Sequence, residues 1–401
     1  MNKKIIIIAI VVTVILGLIA GGYFLFIKNK GKTGGIADII SGFFPTGQEK
    51  DILQNNLIPS NGENIGANLA GSGNFFQISH NPVSGAFATS AFVRYIEQST
   101  GHIYEVDLQK KSSKRISNTT ILGSFNSVWS FNGDKLVIGY LDESDYGLQV
   151  KNFSLKISDE TATFTGTSTA QGIFLPTDTI SIASSPSEDK IFYLEKSGDS
   201  TTGIIATFED KKRAAIFSSV ISEFNVSWPN KNNIALLTRP SAAITGFLYF
   251  IDIKTGALQK ILGDIKGLTA LVSPDGGQVF YSENRNNNIV TKIYDVKNKT
   301  ADEFYLRTLP EKCVWSRKEK DIIFCAVPTN LPQVDYPDYW YQGLISFEND
   351  SIWKINFVSG ETTELLKDTN LDIINPLFTL SEDYLIFINK KDNTLWGLKL
   401  K

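Results

Sequence analysis

The chain is poor in the side chains that carry most metal and nucleophilic chemistry. In 401 residues there are two histidines, two cysteines and one methionine. His80, His102, Cys313 and Cys325 are too few and too dispersed for the usual closed zinc shell, so neither a metal site nor a cofactor is expected. No Gly-x-Ser-x-Gly elbow is followed by an acid and a histidine, which removes the common hydrolase arrangement. Gly71-Ser72-Gly73 lacks the strand-to-helix setting of a phosphate loop. A basic patch is missing too. Five of the 39 basic residues lie in the first 32 positions and none of the 42 acidic ones does. The rest therefore holds 34 basic against 42 acidic residues, a net charge of −8. A nucleic-acid partner is not expected from that balance.

One long apolar run stands apart. Residues 5–27, from Ile5 to Ile27, carry no charge. About 20 apolar residues suffice to cross a bilayer as one helix. The run is long for a cleaved signal peptide, whose apolar core is shorter and ends in small residues. It reads as an uncleaved signal anchor behind a four-residue cytoplasmic tail, 1–4. Lys3 and Lys4 precede it, and Lys28, Lys30 and Lys32 follow, so flanking charge does not orient it. Residues 28–74 read as a Gly- and Asn-bearing linker, interrupted by the apolar Ile39-Ile40-Ser41-Gly42-Phe43-Phe44-Pro45.

Beyond the linker a short pattern recurs. Its clearest copy is Ser273-Pro274-Asp275-Gly276 followed by Val279-Phe280-Tyr281. Weaker copies start at Asn81, Ser130, Ser185, Trp228, Ser316 and Thr379, at intervals of 49, 55, 43, 45, 43 and 63 residues. Proline presets φ, aspartate caps its own turn and glycine takes positive φ, so each copy predicts a tight turn between two strands. An aromatic third-strand cassette follows in the same order: Ile103–Asp107, Leu248 to Asp252, Ile352 to Asn356 and Leu395–Lys399. A turn-plus-strand unit at a period of about 40–50 residues predicts an all-β β-propeller over 75–401. Seven units are counted, with six blades and an extra hairpin as the alternative. The last unit ends at its third strand. An N-terminal strand is expected to close it, since an open edge invites aggregation; 51–58 is the candidate.

Ser273-Pro274-Asp275-Gly276 and the cassettes ending in Asp107 and Asp252 resemble the TolB-type, WD40-like propeller repeat family. The resemblance covers roughly 75–401, although one copy alone keeps the full Ser-Pro-Asp-Gly. It implies an exported, periplasmic or extracytoplasmic binding scaffold and supplies no catalytic residues. A cytoplasmic propeller on an N-terminal anchor is the alternative.

Two features remain. Cys313 and Cys325 flank the turn of the sixth unit, and antiparallel pairing places them opposite or nearly so. Either a cross-strand disulfide or two buried thiols fits. The same unit also carries an insertion of about 25 residues between its second and third strands, with the core Asp335-Tyr336-Pro337-Asp338-Tyr339-Trp340-Tyr341. In propeller topology this loop emerges at the end that bears the blade-to-blade connections. Asp142, Glu143, Asp145 and Tyr146 of the second unit, with Arg239 and Arg285, belong to loops at that end. An aromatic, largely acidic rim is expected there, with Asp335, Tyr336, Asp338, Tyr339, Trp340, Tyr341, Tyr146 and Asp145 as binding residues. The alternative is a lid that buries its own aromatics. The leading expectation is a non-catalytic scaffold for an envelope protein. The second is a glycan-binding or glycan-cleaving propeller using 335–341.

Overall fold

The computed structural model describes residues 73–144, 147–157 and 172–401. They form seven four-stranded antiparallel sheets, each a blade of one propeller. Blades 1 to 5 run over 83–115, 124–174, 179–219, 224–266 and 269–304. Blade 6 covers 313–366, and blade 7 joins 373–399 to Phe75–Gln77. The count is seven, so the six-bladed alternative falls. Residues 5–27 and 51–58 lie outside the described residues, and among the described residues no helix is long and apolar enough to cross a membrane.

Blade 5 shows why the sequence folds this way. In its second strand, Gln278–Arg285, side chains alternate between two apolar surroundings. Val279 and Tyr281 pack with Leu237, Leu248 and Phe250 of blade 4. Phe280, between them, packs with Cys313, Trp315 and Ile323 of blade 6. A strand buried on both faces needs apolar residues at successive positions, as in Ile191 to Leu194 of blade 3, all fully buried. The core is divided accordingly. Each of the seven junctions between neighbouring blades holds its own buried apolar cluster, including blade 7 against blade 1. An eighth lies under the blade 6 insertion.

Closure uses Phe75–Gln77, which pairs antiparallel with Leu395–Lys399 in the register Phe75↔Leu398. Lys399 N donates to Asn74 O at 2.7 Å, and Phe75 stacks on Trp396 with centroids 5.1 Å apart. The fourth-strand position is thereby filled by a segment C-terminal to 51–58. The chain enters this strand at the end bearing the first-to-second-strand turns, here the turn end. It leaves toward blade 1 at the opposite, connection end.

The turns hold as their chemistry predicts. Ser273 Oγ donates to Asp275 Oδ1 at 2.6 Å, Gly277 N donates to the same oxygen, and Gly276 has φ of +74°. Three of the four cassettes end in Asp or Asn, at Asp107, Asp252 and Asn356, because that side chain caps the next turn. Asp252 Oδ1 accepts from Lys254 N and Thr255 N, and Asn356 Oδ1 from Val358 N and Ser359 N. Those hydrogen bonds, the Thr255 hydroxyl first, hold the Asp252 carboxyl below its usual range. The first repeat is displaced from its expected place. Asn81 precedes the inner strand Val83–Ala88, so it lies on the connection into blade 1, as does the exposed His80. The first hairpin turn is Thr89-Ser90-Ala91, with Thr89 Oγ1 capping it through Ala91 N and Phe92 N.

Candidate functional site

The insertion, 329–349, leaves blade 6 at the connection end and folds as a lid. Its base is pinched by Thr329 N donating to Asn349 O at 2.9 Å. Val334 N donates to Asn287 O of blade 5 at 3.0 Å, and Asp338 Oδ2 accepts from Ala242 N of blade 4 at 2.5 Å. A single helical turn, Asp338–Tyr341, then aims Trp340 down onto the blades. Gly267, between blades 4 and 5, has φ of +64°, and a Cβ there would sit 2.4 Å from Tyr336 O. The lid backbone thus seats on a glycine.

Beneath the lid is a cluster that mixes apolar and charged groups. Tyr336, Trp340 and Phe347 are 1–2% exposed and pack with Ile289 and Leu309. Beside them Lys312, Asp350 and Asp372 are wholly buried. Lys312 Nζ donates to Asp372 Oδ1 at 2.6 Å and to Ile373 O at 2.9 Å, and stands 2.7 Å from Asp350 Oδ2. Its ammonium also faces the Phe347 and Trp340 rings, 4.9 and 5.4 Å from their centroids. Asp372 ties the lid to blade 7: its Oδ2 accepts from Trp340 Nε1 at 2.9 Å, Phe347 N at 3.0 Å and Ser346 Oγ at 3.2 Å. Asp350 Oδ2 accepts from Ile373 N at 2.5 Å, while its Oδ1 has no partner. Burial pushes the Asp350 carboxyl up, outweighing the pull of Lys312. Glu311, half-buried, is a fourth ionisable group at this cluster. It accepts from the Tyr341 hydroxyl through Oε1, its Oε2 has no partner, and burial raises its pKa. Lys390 lies 5.1 Å from the Trp340 centroid, and burial lowers its pKa.

These positions correct the expected rim. Trp340 and Tyr336 face inward because indole N–H and phenol O–H find acceptors, the buried Asp372 and the half-buried Pro332 O. Tyr341 is half-buried against Glu311, and Asp338 is spent on Ala242 N. Asp335 and Tyr339 remain exposed, Tyr339 at 40%. Asp145 and Tyr146 lie outside the described residues. The rim is not freely acidic either: Asp142 pairs with Lys151, Glu223 with Arg239, and Glu283 and Glu303 with Arg285. This end also exposes large apolar side chains. Val220 is 85% exposed, Ile244 70%, Leu122 66% and Leu344 63%, all on connections or loops there.

Cys313 and Cys325 are directly opposite in the register of blade 6, with Cα atoms 4.1 Å apart, and form a disulfide. Among the described residues no group of three His, Cys, Asp or Glu side chains is placed to hold a metal ion. Sequence reasoning missed Glu311, Lys312 and Asp372. The available signal was a charged residue immediately before an apolar inner strand, at Lys312 before Cys313–Trp315 and Asp372 before Ile373–Phe378.

No family model matches the chain, and no curated protein matches it in sequence. Solved structures do match in fold. An oligogalacturonate lyase in complex with manganese aligns with a TM-score of 0.55 at 11% identity, over 82% of this chain and 93% of that one. The β-propeller domain of the trilobed protease from Pyrococcus furiosus gives 0.51 at 11%, over 80% and 95%. That of Cps50 (Swd1) from Myceliophteria thermophila gives 0.50 at 9%, over 81% and 99%. TolB from Acinetobacter baumannii superposes less well, at 0.41 and 10% identity over 79% and 65%. At such identities the likeness is one of architecture alone. By fold, the chain is a seven-bladed β-propeller.

Proposed function

We propose that the chain is a non-catalytic protein-binding scaffold of the cell envelope, a propeller held outside the cytoplasm by residues 5–27 as a membrane anchor. The observation that carries the binding role is the set of exposed apolar side chains at the connection end, Val220, Ile244, Leu122 and Leu344. Isolated exposed apolar residues are ordinary. Several at one end of a disc, with neighbouring charges paired off, suit burial against another protein. The lid supports this role by presenting Leu344 and Tyr339 on a backbone fixed from below by Asp372.

The glycan reading is weaker. Its stacking platform, Trp340, has its ring packed 5.7 Å from Phe347 and its N–H spent on Asp372. Asp335 and Tyr339 alone face outward from 335–341.

The test is a triple substitution in the full-length chain, Val220→Ser, Ile244→Ser and Leu344→Ser. Proteins recovered with it from its own cells are quantified against those recovered with the parent. Selective loss of one or a few proteins, at an unchanged melting temperature, is expected. An identical set of recovered proteins contradicts the proposal.

A further inference from the structure

Blade 2 has a long hairpin whose outer edge is left open. Its second and third strands, Lys135–Ser144 and Gly147–Lys156, stay paired out to Ser144↔Gly147 at the connection end. Its fourth strand, Gly172–Phe174, covers the third from Phe153 to Leu155, and Leu175 N then donates to Asn152 O at 2.9 Å. Past Asn152, among the described residues, no strand pairs with the outer side of 148–151. Alternate residues of an antiparallel strand turn their N–H and C=O to the same side. Asn152 turns its carbonyl outward, so Val150 and Leu148 turn theirs the same way, with their N–H groups. An extended backbone edge of this kind is a template for a further strand.

Elsewhere such edges are covered or blunted. Blade 5 has a similar overshoot, at Asn288 to Val290 of its third strand, and the lid sits on it: Val334 N donates to Asn287 O, and Ile289 is 1% exposed. The outer strands carry charge in blades 1 and 5, at Lys114, Arg115, Asp302 and Glu303. They are bulged in blades 3, 4 and 6, and only three residues long in blade 7. In blade 2, by contrast, Leu148, Gln149 and Val150 carry no charge. Leu148 and Val150, 43% and 45% exposed, lie two apart and so share one face. Val150 borders a depression of about 500 Å³ together with the exposed Ile180 of blade 3.

We propose that this edge takes up an extended segment of a partner protein as a further strand. The segment's main chain pairs with Leu148 and Val150, and apolar side chains at its alternate positions lie against Leu148, Val150 and Ile180. The inference rests on the reading that the connection end binds protein, and it says how the partner is held. The exposed Leu122 stands at the foot of the same hairpin, where Leu141 N donates to Gly123 O, so the edge continues that face. A second copy of this chain would pair the same few residues with themselves and fall short of the roughly 1,000 Å² that a specific interface buries. A partner segment runs on past Val150 into the depression.

The test places a photoreactive residue at 148 or at 150 of the full-length chain in its own cells and sequences the crosslinked peptides by mass spectrometry. A paired strand gives adducts on one partner segment, two residues apart for the two probes. Adducts on separate segments, on a second copy of this chain, or none at all overturn the proposal. Val150→Pro removes the outward N–H and spares the bonds to the second strand, as proline on an edge does. Val150→Lys keeps the backbone and puts a charge on the edge, which natural edges use against strand addition. Each should lower recovery of the crosslinked partner about tenfold at a melting temperature equal to the parent's. Full recovery with both variants, but not with Val220→Ser/Ile244→Ser/Leu344→Ser, overturns strand addition and leaves the apolar face standing. Loss with the Val150 variants alone supports strand addition and counts against that face.

Discussion

Replacing Lys312 with methionine keeps an unbranched chain one atom shorter and removes its charge. In the parent, this ammonium is, among the described residues, the sole cation in direct contact with two wholly buried carboxylates, Asp350 and Asp372. Charge-assisted hydrogen bonds are worth about 1.5–3 kcal/mol each, but they do not sum here. Asp372 keeps three other donors and Asp350 keeps Ile373 N, so both remain partly satisfied. The measured range for breaking a buried pair, about 3–5 kcal/mol, is the better guide. With an unfolding entropy near 2.1 cal/mol/K per residue over roughly 330 residues, that loss lowers the melting temperature by roughly 4–7 °C at neutral pH. The deficit also depends on pH. A buried carboxyl without its cation has a folded pKa above its unfolded value of about 3.9. The stability gained by its proton is complete below the unfolded value and is lost as pH rises through the folded one. Acidification therefore narrows the gap between Lys312→Met and the parent. Thermal unfolding by circular dichroism at several pH values measures both effects. A variant that melts within a degree of the parent at pH 7, or whose deficit widens in acid, refutes the reasoning.

Glu311→Gln isolates the half-buried carboxyl beside Tyr341. Burial raises the Glu311 pKa above its ordinary 4.5, so its contribution is full below that value and fades as pH climbs through the folded pKa. The amide keeps an acceptor for Tyr341, so melting temperatures across this window should slope down for the parent and stay flatter for the variant; equal slopes count against it. Gly267→Ala puts a Cβ at positive φ and 2.4 Å from Tyr336 O. About 1–2 kcal/mol of backbone strain, plus displacement of the lid, should speed hydrogen exchange of the 333–341 amides, and unchanged exchange would show that the lid does not seat there. Cys313→Ala/Cys325→Ala removes a bridge spanning 12 residues. Loop entropy assigns it about 3 kcal/mol, visible as a lower denaturation midpoint in urea; an unchanged midpoint refutes that assignment.

The architecture was legible because its determinants are local. Ser273 and Asp275 bond within their own turn, and Asp252 and Asn356 cap the turns that follow them. Where such chemistry is weak, reading the sequence slipped. Thr89-Ser90-Ala91 holds the first hairpin turn without proline, aspartate or glycine, and Asn81-Pro82 drew attention to the connection before it. Closure by Phe75–Gln77 was hidden because three residues carry no period. Site residues were harder still. Composition marked 335–341 as unusual but could not say which way its rings point. That depends on Asp372, Lys312 and Gly267, far along the chain and brought together by blade packing. The apolar side chains at the connection end had no pattern in sequence, because each sits on a different blade.

The most direct test of a binding face at the connection end is photo-crosslinking in the protein's own cells. A photoreactive residue is placed in the full-length chain at 244 or 344, and for comparison at 258 or 358. All four positions are exposed, Ile244 at 70%, Leu344 at 63%, Leu258 at 49% and Val358 at 71%. Discrete protein adducts from 244 and 344, and none from 258 and 358, are the predicted result. Adducts from the second pair alone, or equally from both pairs, would contradict the account.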